Sequence, residues 1–516
     1  MKVILSKPNK ALVVSPDCQS FFPEAPSLPD GNIVVPHDMR TMKIMQHLGW
    51  KDIPNPMLLY YDWRGGKPFD VQRTTCKLLT ENPHAYVLND MGTGKTKAAL
   101  WAWDYLYSSG MAKKLLVVAP LSTLNFVWAR EAFSTLPGRR VVVLHGTRRE
   151  RLDRLAQDAD IYIINHDGLK VIESELQGRA DIDSLVLDEL AVYRNNSDRS
   201  SRMRKFASRF TVVWGMTGAP MPNEPTDVWG QCMIVTPSQN GLPKSRRWAQ
   251  SMLMAPTASP YLWLPKPDAV DTAFKWMQPS VRFSLDDVVE LPPITSRTID
   301  VDLSPPQKKV YDKIRRECQA MIASHTITAV NAGVAMSKLL QVAGGWVYTK
   351  PPEFVRLDAS PRVVALVDLV MSAQQKVIVF VPYRHAIEGI SEIFNMDRVK
   401  IDHCVVHGDI KHREELFSMF QQTSKYKVLL AHPGCVSHGL TLTAADTIIW
   451  YLPITSLETY DQANARIRRV GQQHKQQLLH LQSTPIEKRI YKLLQTKQFA
   501  QERLLDLFEE ATSALA

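Results

Sequence analysis

The segment Val87–Thr96 combines an apolar run, a glycine-rich turn and a Lys-Thr pair, and reads Val-Leu-Asn-Asp-Met-Gly-Thr-Gly-Lys-Thr. Glycines let the backbone curl so that its N–H groups point at phosphate oxygens. Lys95 can reach the β- and γ-phosphates of a nucleotide, and Thr96 can bind Mg²⁺. Asn89 stands where the eight-residue form of this loop has its first glycine. The alternative is therefore a glycine-rich turn that binds no ligand.

An acidic pair follows the predicted strand Leu185–Leu187. Asp188 and Glu189 would lie at the carboxyl end of that strand, which is where parallel sheets bind their ligands. One carboxylate can position Mg²⁺, and the other can orient or deprotonate the water that attacks the γ-phosphate. Most isolated Asp-Glu pairs are solvated loop charges, so this interpretation depends on the glycine-rich turn in the same chain.

The segment Gln462–Gln472 contains Arg466 and Arg469, three residues apart. That spacing is one helical turn, so both side chains can face a single ligand. Guanidinium groups aimed at a γ-phosphate stabilise the charge of the transition state, which is the role of an arginine finger. The alternative is the solvated basic face of a helix.

Two stretches of the chain alternate short apolar runs with polar or amphipathic segments, which is typical of a parallel sheet with crossover helices. The strands predicted in the first stretch are Leu115–Ala119, Val141–Leu144, Ile161–Ile164, Leu185–Leu187 and Thr211–Trp214. Those predicted in the second are Val377–Val381, Cys404–Val406, Val428–Leu430 and Thr447–Tyr451. We therefore expect an α/β fold with two halves.

These halves give three predicted regions. Residues 1–65 form an N-terminal region without a recognisable motif. Residues 66–295 form the first α/β domain, with an irregular or helical insertion near 231–280 where Pro, Trp and Met are frequent. Residues 296–516 form the second, which closes with a helix predicted over Ile486–Leu507.

Composition limits the class of protein. A chain of 516 residues is long for one core. The net charge of +10 suits a polyanionic partner such as nucleic acid, although many basic proteins bind none. Six scattered cysteines lack the spacing of a zinc or redox motif. The sequence shows no signal peptide and no apolar run near the ~20 residues of a membrane span, so we expect a soluble, cytoplasmic protein.

Together these segments resemble the Swi/Snf-type double-stranded-DNA translocases of helicase superfamily 2, in the style of short bacteriophage and bacterial members. The resemblance runs from Pro68 to Lys497 in the order of that family. The further segments that carry it are Pro120–Asn125 with Trp128, Met216–Asn223, Asp227–Trp229, Leu291–Pro293, Leu303–Ser304 with Gln307 and Tyr311, His407–Asp409 with Arg413 and Phe420, and Thr484 with Ile486–Glu487 in a C-terminal brace helix.

The resemblance implies two RecA-like lobes, each a parallel sheet with helices on both faces, with helical insertions. It implies ATP and Mg²⁺ as cofactors, with Mg²⁺ on Thr96 and Asp188, and Thr217 as the residue that couples the nucleotide state to lobe closure. The implied catalytic residues are Lys95, Asp188, Glu189, Arg466 and Arg469. The implied nucleotide-binding residues are Gln72, which would read adenine, then Met91, Gly92, Thr93, Gly94, Lys95 and Thr96, and Gly439 from the second lobe.

Contacts with nucleic acid are predicted for two sets of residues. The resemblance implies contacts of Ser122, Asn165 and Thr441 with the phosphate backbone. Arg202 and Arg204 belong to a basic segment that can line a DNA track, or else form a solvated positive face. Most tryptophans, Trp128 among them, fall within apolar elements, which favours core packing over base stacking.

The predicted function is ATP-dependent translocation along double-stranded DNA by alternating lobe closure, which remodels DNA or protein–DNA complexes without strand separation. Duplex DNA is the predicted partner of a monomeric motor that does not act at a membrane; the sequence specifies no protein partner. Two alternatives stay open. One is a strand-separating superfamily 2 DNA or RNA helicase, for which no wedge can be identified. The other is a nucleic-acid-binding scaffold with weak ATPase activity.

Overall fold

The computed structural model describes residues 3–50, 52–257, 263–288, 290–323, 329–349, 353–436 and 440–496. The chain divides into two compact units. The first comprises Met1–Met221 and Pro225–Val288, and the second comprises Pro222–Glu224 and Val289–Ala516. The domain boundaries at 65 and 295 stay a prediction.

The N-terminal segment forms a small antiparallel sheet with one helix packed on it. Its elements are β1 (Ile4–Ser6), β2 (Ala11–Val14), β3 (Ile33–Pro36), α1 (Met39–His47) and α2 (Pro56–Tyr60). The sheet order is β1-β2-β3. Leu12 and Val35 of the sheet share one buried cluster with Met42 and Met45 of α1. The side chain of Asp38 caps α1 by accepting the Thr41 N–H at 2.7 Å. No motif is recognisable in this segment, because its elements are short.

The first unit contains a large sheet with helices on both faces. Its elements are α3 (Asp70–Glu81), β4 (His84–Val87), α4 (Lys95–Ser108), β5 (Lys114–Ala119), α5 (Arg130–Thr135), β6 (Val141–Val143), α6 (Arg148–Leu155), β7 (Ile161–Asn165), α7 (His166–Leu169), α8 (Glu173–Gln177), β8 (Ile182–Asp188), α9 (Asp198–Ala207), β9 (Val212–Met216), α10 (Asp227–Val235), α11 (Arg246–Leu253), β10 (Met254–Pro256), β11 (Trp263–Pro265), α12 (Ala269–Trp276) and β12 (Ser280–Val281).

The seven strands of this sheet run in the order β12-β4-β9-β8-β5-β7-β6, and every pairing between them is parallel. All five strands predicted for this half are confirmed. Along β5, Leu116 and Val118 join one buried cluster, whereas Val117 and Ala119 join the other. Successive side chains of a strand point to opposite faces, so an unbroken apolar run indicates a sheet covered on both sides.

The predicted insertion contains both helices and strands. Helices α11 and α12 flank the antiparallel hairpin of β10 and β11, and α10 precedes them. The hydroxyl of Ser245 caps α11 by accepting the Trp248 N–H at 3.3 Å. Buried Ala249 and Leu253 join α11 to the cluster that covers one face of the large sheet. The insertion is therefore part of the first unit's core.

The second unit contains another parallel sheet. Its elements are β13 (Ile294–Asp300), α13 (Pro305–Ala323), α14 (Ala329–Gly344), β14 (Trp346–Tyr348), β15 (Phe354–Arg356), α15 (Ser360–Ser372), β16 (Lys376–Phe380), α16 (Arg384–Phe394), β17 (His403–Val406), α17 (Arg413–Gln422), β18 (Val428–Ala431), α18 (Pro433–Val436), β19 (Ala445–Trp450), α19 (Leu457–Asn464), β20 (Gln476–Gln482) and α20 (Pro485–Thr496).

This sheet has the order β13-β20-β19-β16-β18-β17, again with parallel pairings throughout. The four strands predicted for this half are confirmed, and so is the α/β class. Two buried clusters cover its two faces. The predicted closing helix begins at Pro485 and is described as far as Thr496; the rest of that prediction lies outside the described residues.

Two absences are found in the part of the chain that the structure describes. There, no helix is both long and apolar enough to cross a membrane. The cysteines whose side chains are described are all free, and they are Cys18, Cys76, Cys232, Cys404 and Cys435.

Candidate functional site

The glycine-rich turn joins β4 to the buried helix α4. Gly92 and Gly94 have φ values of 88° and 78°, a left-handed conformation that favours glycine. Gly94 is the residue before α4, which begins at Lys95. The first N–H groups of a helix have no partner within it, and the helix dipole favours negative charge there. The end of β4 therefore leads into a backbone suited to an anion such as a phosphate.

The Lys95 side chain folds back along this turn. Its ammonium donates to the carbonyl oxygens of Asn89 at 2.6 Å and Asp90 at 3.0 Å. The hydroxyl of Thr93 also donates to the Asp90 carbonyl, at 2.9 Å. The cation thus lies at the turn itself, where a phosphate bound to the backbone N–H groups would meet it.

Asn89, which replaces the expected glycine, braces the start of the turn. Its buried side-chain amide donates to the Thr75 hydroxyl at 3.2 Å through Nδ2, and its side-chain oxygen Oδ1 accepts the Phe283 N–H at 3.1 Å. Asp90 adds a backbone bond to the Phe283 carbonyl at 2.8 Å. The side chain therefore ties the turn to α3 and to the chain that follows β12, a role that a glycine could not perform.

Gln72 lies against the same turn. Its Oε1 accepts the Phe69 N–H at 2.9 Å, and its Nε2 donates to the Gly94 carbonyl at 3.3 Å. The side chain is buried. The structure thus places Gln72 beside the phosphate side of the predicted site, and its role in reading adenine stays a prediction.

The acidic pair lies at the carboxyl end of β8. Asp188 is the last residue of that strand and is paired with Met216 of β9. Its Oδ1 accepts the Glu189 N–H at 3.1 Å. Burial raises the pKa of the Asp188 carboxyl, against the opposing influence of the Trp128 N–H and the Lys95 charge. Glu189 has a φ of 51°, a left-handed conformation that costs energy in a residue with a side chain and is often found at functional sites.

Trp128 contacts the acidic pair, a contact that the sequence does not predict. Its ring is fully buried, as expected of a core residue, but its Nε1–H donates to Oδ2 of Asp188 at 2.8 Å. The interpretation as core packing is therefore incomplete. The sequence signal was its membership in the segment that follows β5, because the carboxyl ends of β5 and its neighbour β8 meet at one edge of the sheet.

The donor set of Thr96 and Asp188 suits magnesium. Mg²⁺ prefers oxygen ligands, keeps several waters, and is held in nucleotide sites by one or two protein groups together with phosphates. A hydroxyl and a carboxylate meet that requirement. Among the described residues no three His, Cys, Asp or Glu side chains are grouped as metal ligands.

The segment after β9 contacts the glycine-rich turn. The Thr217 N–H donates to the Val87 carbonyl at 3.1 Å, and the hydroxyl of Thr217 accepts the Ala219 N–H at 3.2 Å. A Cβ on Gly218 would lie 3.4 Å from the Asn89 carbonyl oxygen. Thr217 is thus placed next to the start of the turn, as a residue sensitive to its state would be.

In the second unit, Arg466 and Arg469 both contact the short segment Leu440–Thr441. Arg466 is buried and donates to the Leu440 carbonyl at 3.1 Å. Arg469 donates to the Thr441 hydroxyl at 3.2 Å, and burial lowers the pKa of its guanidinium to about 10, so it stays charged at neutral pH. Gly439 lies outside the described residues.

The prediction that Arg466 and Arg469 face one ligand through helical spacing is wrong. Helix α19 ends at Asn464, so neither side chain is on a helix face. Each instead lies in the turns that follow and reaches back four residues, Arg466 to the Gln462 carbonyl at 2.7 Å and Arg469 to the Ala465 carbonyl at 3.3 Å. The two guanidinium groups are brought together by their contacts with Leu440 and Thr441, and not by helical spacing.

Four of the five predicted nucleic-acid contacts occupy two areas of the first unit, and the fifth, Thr441, lies in the second. Ser122 is exposed in a 3₁₀ turn just after β5, and Asn165 ends the neighbouring strand β7, where it accepts a bond from Arg151 at 3.2 Å. Arg202 and Arg204 are on α9 and have partners within the chain. Arg202 pairs with Glu173 at 3.4 Å, and the Arg204 guanidinium lies 5.4 Å from the Trp229 ring centre. Their contacts with DNA stay predictions.

Comparison with known families decides the class. A model described as the SNF2-related domain matches residues 75–343, and one described as the helicase conserved C-terminal domain matches residues 361–471. The chain belongs to the SNF2-related family. It therefore has ATP-dependent helicase/translocase domains of superfamily 2, and it is an ATPase of a family of DNA-dependent ATPases.

Individual relatives are distant. Putative protein p41 of Acyrthosiphon pisum secondary endosymbiont phage 1 is 25% identical over 410 residues, which cover 73% of this chain and 83% of that protein. An uncharacterized ATP-dependent helicase of Mycoplasma genitalium is 23% identical, with 82% of this chain and 40% of that protein covered. A Sulfolobus solfataricus SWI2/SNF2 ATPase core solved with dsDNA is 18% identical, has a TM-score of 0.40, and is aligned over 89% of this chain and 98% of that one. The chain thus spans less than half of the length of the Mycoplasma relative.

Proposed function

We propose that this chain is a motor that uses ATP hydrolysis to move along double-stranded DNA without separating its strands. The observation that carries the proposal is the meeting of Lys95, the glycine-rich turn and Asp188 at one edge of a parallel sheet, in a chain of a DNA-dependent ATPase family. The motor acts as a monomer in this proposal.

Binding of ATP would use the turn and the start of α4. The backbone N–H groups of residues 91–96 receive the phosphates, and Lys95 exchanges its carbonyl contacts for β- and γ-phosphate oxygens. Gln72 holds α3 against Gly94, and the reading of adenine by this side chain is part of the proposal. These roles follow from the positions of the side chains and from the family's pattern.

Hydrolysis would use the acidic pair. Thr96 and Asp188 would hold Mg²⁺, which when bound neutralises phosphate charge as it develops. Glu189 orients the attacking water and accepts its proton. Asp188 keeps its carboxylate in place through the Trp128 and Glu189 N–H donors. Arg466 and Arg469 supply positive charge to the γ-phosphate when the lobes close, as the family pattern implies.

Movement along the duplex would come from alternate gripping of its phosphate backbone. Phosphate contacts carry no sequence information and depend steeply on salt, and they suit a chain with a net charge of +10. In the first unit the exposed Ser122 and the neighbouring Asn165 lie on one sheet edge and present small polar groups that can contact phosphates. Thr441, which accepts a bond from Arg469, offers a contact next to a proposed catalytic residue.

The proposal is tested by ATPase assays with duplex DNA, single-stranded DNA and RNA of equal length. We expect duplex DNA to stimulate turnover most, and Glu189→Gln to abolish turnover while leaving duplex binding intact. Stimulation mainly by a single strand would indicate a strand-separating helicase. Binding with little hydrolysis under all three conditions would indicate a scaffold.

A further inference from the structure

Trp128 belongs to an irregular helical segment between β5 and α5. The chain leaves β5 through a 3₁₀ turn at Leu121–Thr123 and continues as a π-helix over Leu124–Ala129, before α5 begins. A π-helix is rare, and where it occurs it often marks a functional site. In the segment formed by the 3₁₀ turn and the π-helix, Ser122 and Asn125 are exposed, whereas Trp128 is buried. One short segment therefore has one end at the surface and the other at the acidic pair.

The contact at the buried end is specific. The Trp128 indole has a single donor, and that donor is used on Oδ2 of Asp188 at 2.8 Å. The other oxygen, Oδ1, accepts the backbone N–H of Glu189 at 3.1 Å. Both carboxylate oxygens are thus held by donors on different elements, which fixes the rotation of the carboxylate about its own axis. The indole is the only one of these two donors that substitution can remove.

We propose that Trp128 is a positioning residue for Asp188, and that the segment from Leu121 to Trp128 links duplex DNA at its exposed end to the metal–nucleotide complex at its buried end. The proposal rests on the proposed function, since it takes duplex DNA as the ligand of the exposed end. A π-turn that tightens to an α-turn shifts the register between Ser122 and Trp128, and this shift moves the indole relative to Asp188.

The first experiment measures binding and not turnover. A non-hydrolysable ATP analogue is titrated onto the chain with Mg²⁺ and again with EDTA, for the unaltered protein and for Trp128→Phe. We expect Trp128→Phe to weaken binding of the Mg²⁺ complex by about 10- to 100-fold, the range for residues that orient a metal ligand. Binding in EDTA should change little, because the phosphates and Lys95 are untouched.

Trp103→Phe is the matched control. Trp103 is also fully buried in the first unit, and its Nε1–H also makes one hydrogen bond, to the Lys113 carbonyl at 3.1 Å. Its loss removes the same groups from the core without touching the acidic pair. Equal effects of Trp128→Phe and Trp103→Phe on the Mg²⁺ complex would overturn the positioning role.

A double-mutant cycle covers the case in which Trp128→Phe perturbs folding. In the Asp188→Ala background the indole has no side-chain oxygen to hold, so adding Trp128→Phe should leave the Mg²⁺-dependent affinity unchanged, whereas a general loss of packing would lower it again. A further drop of the same size as in the unaltered protein would overturn the proposal.

The coupling between duplex DNA and nucleotide is measured as a factor, the nucleotide affinity with a short duplex divided by the nucleotide affinity without it. Linkage requires that nucleotide change duplex affinity by the same factor, which gives an internal check. We expect this factor to exceed 1 in the unaltered protein and in Trp103→Phe, and to fall towards 1 in Trp128→Phe. A factor that is unchanged in Trp128→Phe overturns the link. A factor of 1 in the unaltered protein overturns both the link and the proposed function, and the Mg²⁺ titration still tests Trp128 alone.

Discussion

The side-chain amide of Gln72 is packed so closely against Gly94 that a side chain at residue 94 would displace it. A Cβ built on Gly94 would lie 2.1 Å from Nε2 of Gln72, and the same nitrogen donates to the Gly94 carbonyl at 3.3 Å. Helix α3 and the start of α4 are thus joined at the point where the backbone takes a φ of 78°. Two physical factors therefore favour glycine at position 94: the left-handed backbone conformation and the closeness of Gln72.

Gly94→Ala should reduce both stability and nucleotide affinity. The matched control is Gly110→Ala, since Gly110 follows the other end of α4 with a φ of 68° and has open space around its missing Cβ. The left-handed conformation alone costs roughly 1–2 kcal/mol. In urea unfolding we expect Gly94→Ala to lose more free energy of unfolding than the control, because Gln72 must also move. Only Gly94→Ala should weaken ATP binding. Equal losses in both variants would contradict the Gln72 contact.

The sequence predicted the parallel sheets well because a strand buried on both faces leaves a continuous apolar run, as in Leu115–Ala119. It predicted the glycine-rich turn because positive φ values require glycine there. It could not assign Asn89, whose partners Thr75 and Phe283 are distant in the chain. Side-chain bonds between remote segments leave no periodic signal, so they become visible only in the folded chain.

Lys95→Ala should abolish nearly all ATPase activity and leave the fold intact. The ammonium donates to loop carbonyls at 2.6 and 3.0 Å, and its proposed partner in function is the phosphate charge. Lys97→Ala is the control, because Lys97 is also on the first turn of α4 but donates to the Gly65 carbonyl at 2.6 Å. Turnover at saturating ATP is the measurement. Near-normal turnover in Lys95→Ala would exclude the phosphate-binding role.

Arg469→Ala should lower kcat by roughly 10²–10⁵, the range of arginine-finger losses, with a much smaller change in ATP affinity. Arg466→Ala should lower kcat similarly and should also reduce thermal stability, because its buried guanidinium bonds the Gln462 and Leu440 carbonyls. Single-turnover kinetics and thermal unfolding separate the two effects. If both variants hydrolyse ATP normally and lose only DNA affinity, the pair is a clamp on the phosphate backbone.

The arginine pair also shows where pattern reasoning fails. A spacing of three residues favoured one helix face, but α19 ends at Asn464, before either arginine. Residue spacing fixes direction only within a regular element. In the turns that follow, direction is set by the contacts with Leu440 and Thr441, more than twenty residues away in the chain. The two arginines could therefore be picked out as candidates by their residue type, but their spacing did not predict the direction of their side chains.

Arg362→Ala should destabilise the second unit by about 3–5 kcal/mol, because it leaves the buried Glu487 carboxylate without its charge partner. The two side chains are 1% and 0% exposed and lie 2.6 Å apart, which joins α15 to the brace helix α20. Arg384→Ala, which removes an exposed pair with Glu388, should have only a small effect. Hydrogen exchange of peptides from α20 measures the stability of the second unit. Equal protection in both variants would show that the pair does not hold the brace.

With ATP, the chain should displace the third strand of a triplex, or a protein bound to duplex DNA, and leave the duplex paired. Triplex displacement reports tracking along a duplex, whereas fork unwinding reports strand separation. Displacement should depend little on sequence, because phosphate contacts carry no base information, and should fall steeply with salt, since each phosphate neutralised releases about 0.9 counterion. Glu189→Gln is the control, which should bind the triplex without displacing it. Efficient unwinding of a tailed duplex without triplex displacement would identify a strand-separating helicase, because a motor that grips both strands together has no means of pulling them apart.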